Sequence, residues 1–574
     1  MNGAEYIIKF LEQKEVDIIF GYPGGAVLTL YDALYKAIEN KSRIKHILTR
    51  HEQGAIHAAE GYAQTTKKTG VVFATSGPGA TNIVTGLADA MLDSVPIFAI
   101  TGQVNAWSVG HDAFQEADML GVTLAITKHN YLVRDIKDLA YTLEAAWQIA
   151  RSGRHGPVLI DIPKNIFAEE INHETTVSYI PRERKKINAF EEQKEKISDL
   201  LINSFRPVIL AGGGVAASDK APELMQKFMK KYNMLCAVTL MGKSTVDMDN
   251  PLALGMAGMH GMPAANTALA KSDLVIAVGT RFSDRTIGNP KLFSQTRSII
   301  HADIDIAEIS KNVKSIVPVV TDSAEFFKSM IDMIKTEIPQ NIISQKVSQW
   351  KEWHGEIIKE KEKQNEKMIF SGKLKIREVI REVVELTENS DNISVITDVG
   401  QHQMIAAQET KHKIPGTFIT SGGLGTMGFG LPAAIGAAFG KKDGKVILFS
   451  GDGGIQMNIQ ELATVRKTPV PVKIFIMDNN RLGMVRQWQK HFYGGRYSQS
   501  VLDDNPEFVT IASAYGIKSV KITSRQKLKD NIKYILNSGE TILVHVITDP
   551  EENVYPIIPV GKSNHEMLFA GEVE

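Results

Sequence analysis

Gly451-Asp452-Gly453-Gly454 and Asp478-Asn479-Asn480 each follow a short apolar run, residues 445–450 and 472–477. One carboxylate and one amide carbonyl form a donor set suited to Mg²⁺, which prefers oxygen ligands, keeps water and completes its shell with substrate phosphates. The glycines let backbone N–H groups approach phosphate oxygens with no Cβ in the way. No lysine sits in this turn, which argues against a nucleotide P-loop. Asp452 and Asn479 therefore read as holders of a metal-bound diphosphate.

These residues need a scaffold to hold them. Residues 445–450 stop at glycine and read as a buried parallel strand, and residues 472–477 read as another. Ile455, Ile459 and Leu462 between them recur at helical spacing, so the unit is strand, turn, helix, strand, with Asp452 in the turn. In open α/β sheets ligands bind at the carboxyl ends of strands, where both polar clusters fall. Similar runs recur at 71–74, 96–100 and 158–161, and again at 206–211, 274–278 and 299–304. The class is α/β, with three doubly wound parallel-sheet domains. Their limits are read as 1–168, 190–340 and 368–550, with a tail at 551–574. A polar stretch near 168–196 reads as a linker, and Lys359-Glu360-Lys361-Glu362-Lys363 as a solvated helix face.

The chain has 574 residues, 43% hydrophobic and 23% charged, so neither disorder nor a fibrous class is indicated. Lys plus Arg and Asp plus Glu are 65 each, which offers no electrostatic footprint for nucleic acid or an anionic membrane. The single cysteine, Cys236, lies in an apolar run where a thiol packs, and a reducing cytoplasm fits. No targeting leader is visible, and no apolar run reaches the ~20 residues of a membrane span.

His51-Glu52-Gln53-Gly54-Ala55 opens a helical segment with His57 nearby. The two histidines are six apart, about 240° round a helix, and so do not share a face as the pair in a zinc-protease His-Glu-x-x-His does. By itself Glu52 reads as a helix-start residue. Gly212-Gly213-Gly214 follows a strand and is compatible with a dinucleotide phosphate, but the full G-x-G-x-x-G fingerprint is not met, and structural glycine turns fit equally.

Gly451-Asp452-Gly453, with a gap of 26 residues after Asp452 and then Asn479-Asn480, resembles the signature of thiamine-diphosphate enzymes. The resemblance extends over nearly the full length to one family, the catalytic subunits of acetohydroxyacid (acetolactate) synthases. It is carried by residues 21–26 (Gly-Tyr-Pro-Gly-Gly-Ala), 75–82, 112–118, 400–404, 422–428 and 483–489. The Gly-Pro-rich runs occur broadly in thiamine enzymes. Phe114-Gln115-Glu116-Ala117-Asp118 and Met484-Val485-Arg486-Gln487-Trp488 are specific to the synthases.

The resemblance implies three domains: pyrimidine-binding, a central Rossmann-like FAD domain, and diphosphate-binding. It implies thiamine diphosphate and Mg²⁺, the metal bound by Asp452, Asn479 and the Arg481 carbonyl. Gly453, Gly454, Val399, Gly400, Gln401 and His402 would hold the cofactor with Gly425, Met484 and Val485, and Met427 would enforce its V shape. Glu52 would hydrogen-bond N1′ of the aminopyrimidine and favour the tautomer that takes the C2 proton. Gln103 would polarise a carbonyl near the reacting carbon, and Lys164 would line a channel to it. Arg285 would take the carboxylate of the incoming 2-ketoacid in two hydrogen bonds. Phe114 and Trp488 would bound the substrate pocket, with Trp488 in a loop limiting the second substrate. FAD would be held structurally by Arg154, Gly212, Gly213, Gly214, Thr239, Leu240, Met241, Met259, His260, Gly279, Thr280, Arg281, Asp303, Ile304 and Asp322. Ser283 stands where family members commonly carry Asp, so one polar contact to FAD is altered. The implied reaction decarboxylates pyruvate and joins the two-carbon unit to pyruvate or 2-ketobutyrate, giving 2-acetolactate or 2-aceto-2-hydroxybutyrate. Glu52 and the metal site lie in different thirds, and in this family two chains share each cofactor. A homodimer is implied, with tetramers and a small regulatory subunit as further partners, and no nucleic acid or membrane. Two other readings stay open here: a thiamine- and FAD-dependent pyruvate oxidase, and a non-catalytic homologue acting as a binding subunit.

Overall fold

The computed structural model describes residues 1–171, 189–364, 370–388, 390, 392–412 and 414–572. Residues 172–188 of the stretch read as a linker lie outside the described residues, as does Met368, where the third unit was placed.

Short runs of β-branched and aliphatic residues build three six-stranded sheets in which every pair is parallel. The first contains β1 (Ile18–Gly21), β2 (Lys45–Leu48), β3 (Gly70–Ala74), β4 (Ile97–Gln103), β5 (His129–Leu132) and β6 (Val158–Pro163), ordered β2-β1-β3-β4-β6-β5. The central sheet contains β7 (Pro207–Ala211), β8 (Leu235–Val238), β9 (Ala253–Met256), β10 (Leu274–Val278), β11 (Ser298–Asp303) and β12 (Val317–Val320). Its order, β12-β11-β10-β7-β8-β9, is that of a Rossmann fold, with the switch point between β7 and β10. The third contains β13 (Ile393–Thr397), β14 (Phe418–Ile419), β15 (Lys445–Gly451), β16 (Val472–Asp478), β17 (Lys518–Ile522) and β18 (Ile542–Ile547). Its order, β14-β13-β15-β16-β18-β17, repeats that of the first sheet. Strands such as β10, Leu-Val-Ile-Ala-Val, are buried at every residue because helices cover both faces. Cys236 is buried in β8, and burial pushes its thiol up to about 12, so it packs as a small apolar group.

The first and third sheets are joined through corresponding helices, Glu52–Thr66 after β2 and Gly430–Gly440 after β14. They cross almost backbone to backbone. A methyl on Gly61 would run into the Ala433 carbonyl, and one on Gly436 into that of Ala58. The long helix Gln340–Gln364 lies on the central core, burying Trp350 and Trp353, with Trp350 Nε1 donating to Ser204 O at 3.1 Å. The charged run near its end is therefore not purely solvated: Lys361 Nζ donates to Asn250 O at 2.9 Å. The tail returns to the central domain, where Ile558 N donates to Met259 O at 2.9 Å and Asn564 Nδ2 to Thr286 O at 3.1 Å. Among the described residues, no helix is long and apolar enough to cross a membrane.

Candidate active site

Residues after the central and third sheets line one cavity of about 1190 Å³. Pockets for one drug-sized ligand span roughly 300–1,000 Å³, so this one has room for more than one group. From the third domain it is lined by Val399, Gly400, Gln401, His402, Gly425, Met427, Asp452, Gly453, Gly454, Asn479, Arg481, Met484, Val485 and Trp488. From the central domain come Gly213, Gly214, Thr239, Leu240, Met241, Met259, His260, Gly279, Thr280, Arg281, Ser283, Arg285, Asp303, Ile304 and Asp322, and from the first Leu92, Asp93, Ser94, Gly153, Arg154 and His155.

β15 ends at Gly451, and Asp452 is the first residue of the helix Asp452–Met457. Asn505 Nδ2 donates to Asp452 Oδ2 at 2.7 Å and to Asp478 Oδ1 at 3.1 Å. Burial and the neighbouring Asp478 charge push the Asp452 carboxyl up to about 7. Asp478 is buried as well, yet its 2.8 Å contact with His545 Nε2 holds it below the usual carboxylate range. A divalent cation would relieve this crowding, and Asp452, the Asn479 amide oxygen and the Arg481 carbonyl are hard oxygen donors of the kind Mg²⁺ takes. His402 is pushed down to about 4 by burial, so its ring is neutral. Its Nε2 has no hydrogen-bond partner among the described residues, and the side chain lines the cavity, as a contact to a phosphate oxygen requires. Gln401 is more committed: its Nε2 donates to Gln487 Oε1 at 3.0 Å and Glu552 O at 2.9 Å, and its Oε1 accepts from Asn479 Nδ2 at 3.3 Å.

At the central switch point, Gly213 and Gly214 face the cavity but Gly212 does not. A methyl on Gly212 would meet the Gly279 carbonyl, so this glycine permits close packing of two turns. Asp303 ends β11, with burial pushing its carboxyl up to about 6. Asp322 caps the helix Ser323–Glu337 through Ala324 N at 2.8 Å and accepts from Ser218 Oγ at 2.8 Å. Arg154 donates to Ser94 Oγ and Glu308 Oε1, both at 2.8 Å. Ser283 Oγ lies 3.2 Å from Thr286 Oγ1, a neutral pair where a carboxylate was the family expectation. These glycine turns, cations and terminal acid suit a dinucleotide across the switch point. Between the two halves, the Arg285 guanidinium lies 5.5 Å from the centre of the Trp488 ring. Its one salt bridge among the described residues is a loose 3.9 Å contact with Asp284.

The first-domain residues Glu52, Gln103, Phe114 and Lys164 do not line this cavity. Glu52 is 8% exposed and its Oε2 accepts from Asn82 Nδ2 at 2.9 Å. The backbone just before it is held from the third domain: Glu461 Oε1 accepts from Arg50 N at 2.8 Å and His51 N at 3.0 Å. The Gln103 amide is fully used, donating to Asp161 Oδ2 and Ala117 O at 2.8 Å and accepting from Val104 N at 2.9 Å. Phe114 is 89% exposed, and Lys164 begins a short helix with its side chain in solvent.

Three family models match along the chain: Thiamine pyrophosphate enzyme N-terminal TPP binding domain (1–122), central domain (195–330) and C-terminal TPP binding domain (398–546). The acetolactate synthase large subunit of Lactococcus lactis is 43% identical over 99% of this chain and 96% of its own length. The acetolactate synthase isozyme 2 large subunit of Escherichia coli is 43% identical over 99% of both chains. A probable acetolactate synthase large subunit of Methanocaldococcus jannaschii is 44% identical over 98% of this chain and 94% of its own. The chain belongs to the acetolactate synthase large-subunit family of thiamine pyrophosphate enzymes.

Within this acetolactate synthase fold, three local readings need correction. Asp452 is not in a turn but starts a helix, because Gly451 is still the last residue of β15. Ile455, Ile459 and Leu462 do not share one helix. Asn458 leaves helical geometry, and its Nδ2 donates to Gly428 O at 2.8 Å, splitting the stretch into Asp452–Met457, a 3₁₀ turn Ile459–Glu461 and Leu462–Val465. Trp488 is not in a loop but on the helix Gly483–Phe492, where Met484 and Trp488 are one turn apart. Asn505 was missed because Asn505-Pro506 reads only as turn chemistry, 53 residues from Asp452. Glu461 was missed because its partners lie in another domain.

Proposed function

We propose that this chain catalyses the synthase reaction: decarboxylation of pyruvate, then condensation of the two-carbon unit with pyruvate or 2-ketobutyrate to give 2-acetolactate or 2-aceto-2-hydroxybutyrate. The observation that carries this reading is the Arg285–Trp488 pair, which lines the same cavity as Asp452 and Asn479. A guanidinium matches a 2-ketoacid carboxylate in two hydrogen bonds, and the indole beside it limits the acceptor's side chain. Thiamine diphosphate, when bound, supplies the carbon nucleophile. Asp452, Asn479 and the Arg481 carbonyl hold Mg²⁺ against its diphosphate, with His402 and the glycines at 453 and 454 as further contacts. Gly425 and Met427 orient the aminopyrimidine, and FAD occupies the central part of the cavity as a structural group.

Glu52 is buried and anchored, yet absent from this chain's own cavity. It serves the cofactor of a second copy in a homodimer, together with Gln103, Lys164 and the exposed Phe114. Each chain thus has a pyrimidine-binding unit at 1–168, a central unit at 190–340 and a diphosphate-binding unit at 368–550. A tetramer, a small regulatory subunit and a cytoplasmic location complete the proposal.

The test is pyruvate turnover by the purified chain with and without thiamine diphosphate, Mg²⁺ and FAD, scoring acetolactate, acetate and peroxide separately. Acetolactate made with no electron acceptor consumed is the expected result. Acetate or peroxide as the main product would move the chain to the oxidases.

A further inference from the structure

Residues 421–428, Ser-Gly-Gly-Leu-Gly-Thr-Met-Gly, cross from β14 to the helix Gly430–Gly440 and bring Gly425 and Met427 to the cavity. Four of the eight are glycine, so the segment has little intrinsic order and loses much conformational entropy when fixed. Its far end is tied within its own domain. Asp398 Oδ1 accepts from Gly428 N at 3.0 Å, and its Oδ2 from Gly430 N at 3.1 Å.

The near end is tied to the first domain. Two consecutive N–H groups converge on one carboxylate of the helix Val84–Asp93: Gly422 N donates to Asp93 Oδ2 at 2.8 Å and Gly423 N to Asp93 Oδ1 at 2.7 Å. One turn back, Asp89 Oδ1 accepts from Ser421 Oγ at 2.6 Å, and Ser421 Oγ accepts from Thr426 N at 2.8 Å. The fit is close on both sides. A methyl on Gly423 would press on Leu92 and Asp93, and one on Gly422 would strike Met241 of the central domain. Burial pushes Asp93 up to about 6, against the pull of those two N–H groups and of Arg281 and Arg154.

We propose that Asp93, seconded by Asp89 through Ser421, is a positioning residue for the thiamine site, setting the path of residues 421–428 so that Gly425 and Met427 meet the cofactor. The proposal rests on the reading of Gly425 and Met427 as thiamine contacts. It assigns that site a support from another domain: the first domain of each chain shapes the cofactor loop of that same chain.

The experiment compares the full-length chain with Asp93→Asn and Ser421→Ala. Amide hydrogen exchange of residues 420–428 is followed without cofactor, then thiamine diphosphate binding with Mg²⁺ by near-ultraviolet circular dichroism, and FAD content by visible absorbance. Asp93→Asn keeps one acceptor oxygen but replaces the other with an NH₂ that faces a backbone N–H, so faster exchange confined to this segment and a roughly tenfold weaker thiamine diphosphate affinity are expected, with FAD content retained. Ser421→Ala should act in the same direction and less strongly, and it decides the matter if Asp93→Asn does not fold. Unchanged exchange in the segment, or loosening spread evenly through the third domain, would overturn the proposal. A wild-type chain that binds no thiamine diphosphate would sink the proposed function instead, while the exchange result would still decide whether Asp93 orders the loop.

Discussion

The first and third sheets share one strand order, and corresponding strands end in different chemistry. After β15 comes Asp452 with its glycines, whereas after β3 comes Thr75-Ser76-Gly77-Pro78-Gly79, with no acid. β16 ends in Asp478, with Asn479 next, whereas β4 ends in the neutral Gln103. After β14 a glycine loop leads into a helix, whereas after β2 the helix begins at Glu52 itself. The shared topology puts ligand-binding positions at the same strand ends in both domains, and under the proposed function the side chains would suit one to a metal diphosphate and the other to a ring nitrogen. The two also differ in completeness. The third domain's strand-end residues already line a cavity with the central domain, while Glu52 and Gln103 at the first domain's strand ends lie outside it.

That comparison breaks first at Glu52. Glu52→Gln should lower turnover by about 10²–10⁴-fold, because a proton-transfer role is lost, while thiamine diphosphate binding and thermal stability stay near wild type. Steady-state kinetics with a melting curve check this, and an unchanged rate would end the assignment. On the metal side, Asn505→Ala removes the donor that orients Asp452. Mg²⁺ affinity, measured by titration in the presence of thiamine diphosphate, should fall about 10–100-fold, the usual cost of losing an outer-shell partner. A smaller effect belongs to the acceptor pocket. Arg285→Lys keeps the charge but loses the planar fork over Trp488, and should raise KM for 2-ketoacid about tenfold with bound FAD unchanged.

The smallest effect concerns pH. Burial pushes the Asp161 carboxyl up to about 7, even though Thr101 and Gln103 donate to it. The folded chain therefore holds this proton more tightly than the unfolded one. The stability contributed by the protonated group is fully present below about pH 4 and is lost as pH rises through about 7. Melting temperature followed from pH 4 to 8 should decline less in Asp161→Asn than in wild type. A slope equal to wild type would show that Asp161 does not titrate in this range.

What was readable from sequence follows the same division. Asp452 and Asn479 sit immediately beyond the apolar runs that become β15 and β16, so a strand end and its chemistry occur together in one short window. The repeated strand–glycine style of the first and last thirds corresponds to one strand order in the two sheets, whose central strands β3, β4, β15 and β16 are buried nearly throughout. The break at Asn458 was invisible, since Ile455, Ile459 and Leu462 keep helical spacing across it and the bond that ends the helix reaches back to Gly428. Glu461, Asp93 and Asn505 were silent for a related reason. Each acts on a backbone or carboxylate far off in sequence, and nothing beside it in the chain marks it as different from an ordinary polar residue.

The backbone-to-backbone crossing at Gly61 and Gly436 also bears on how the molecule can breathe. Packed helices slide only as far as interlocking side chains bend, and here the contact is carbonyl against Cα, with almost nothing to bend. Sliding of the first domain over the third along this crossing is therefore costly. A shift of the central domain against the other two would instead part Arg285 from the Trp488 ring, the contact that spans the two sides of the cavity.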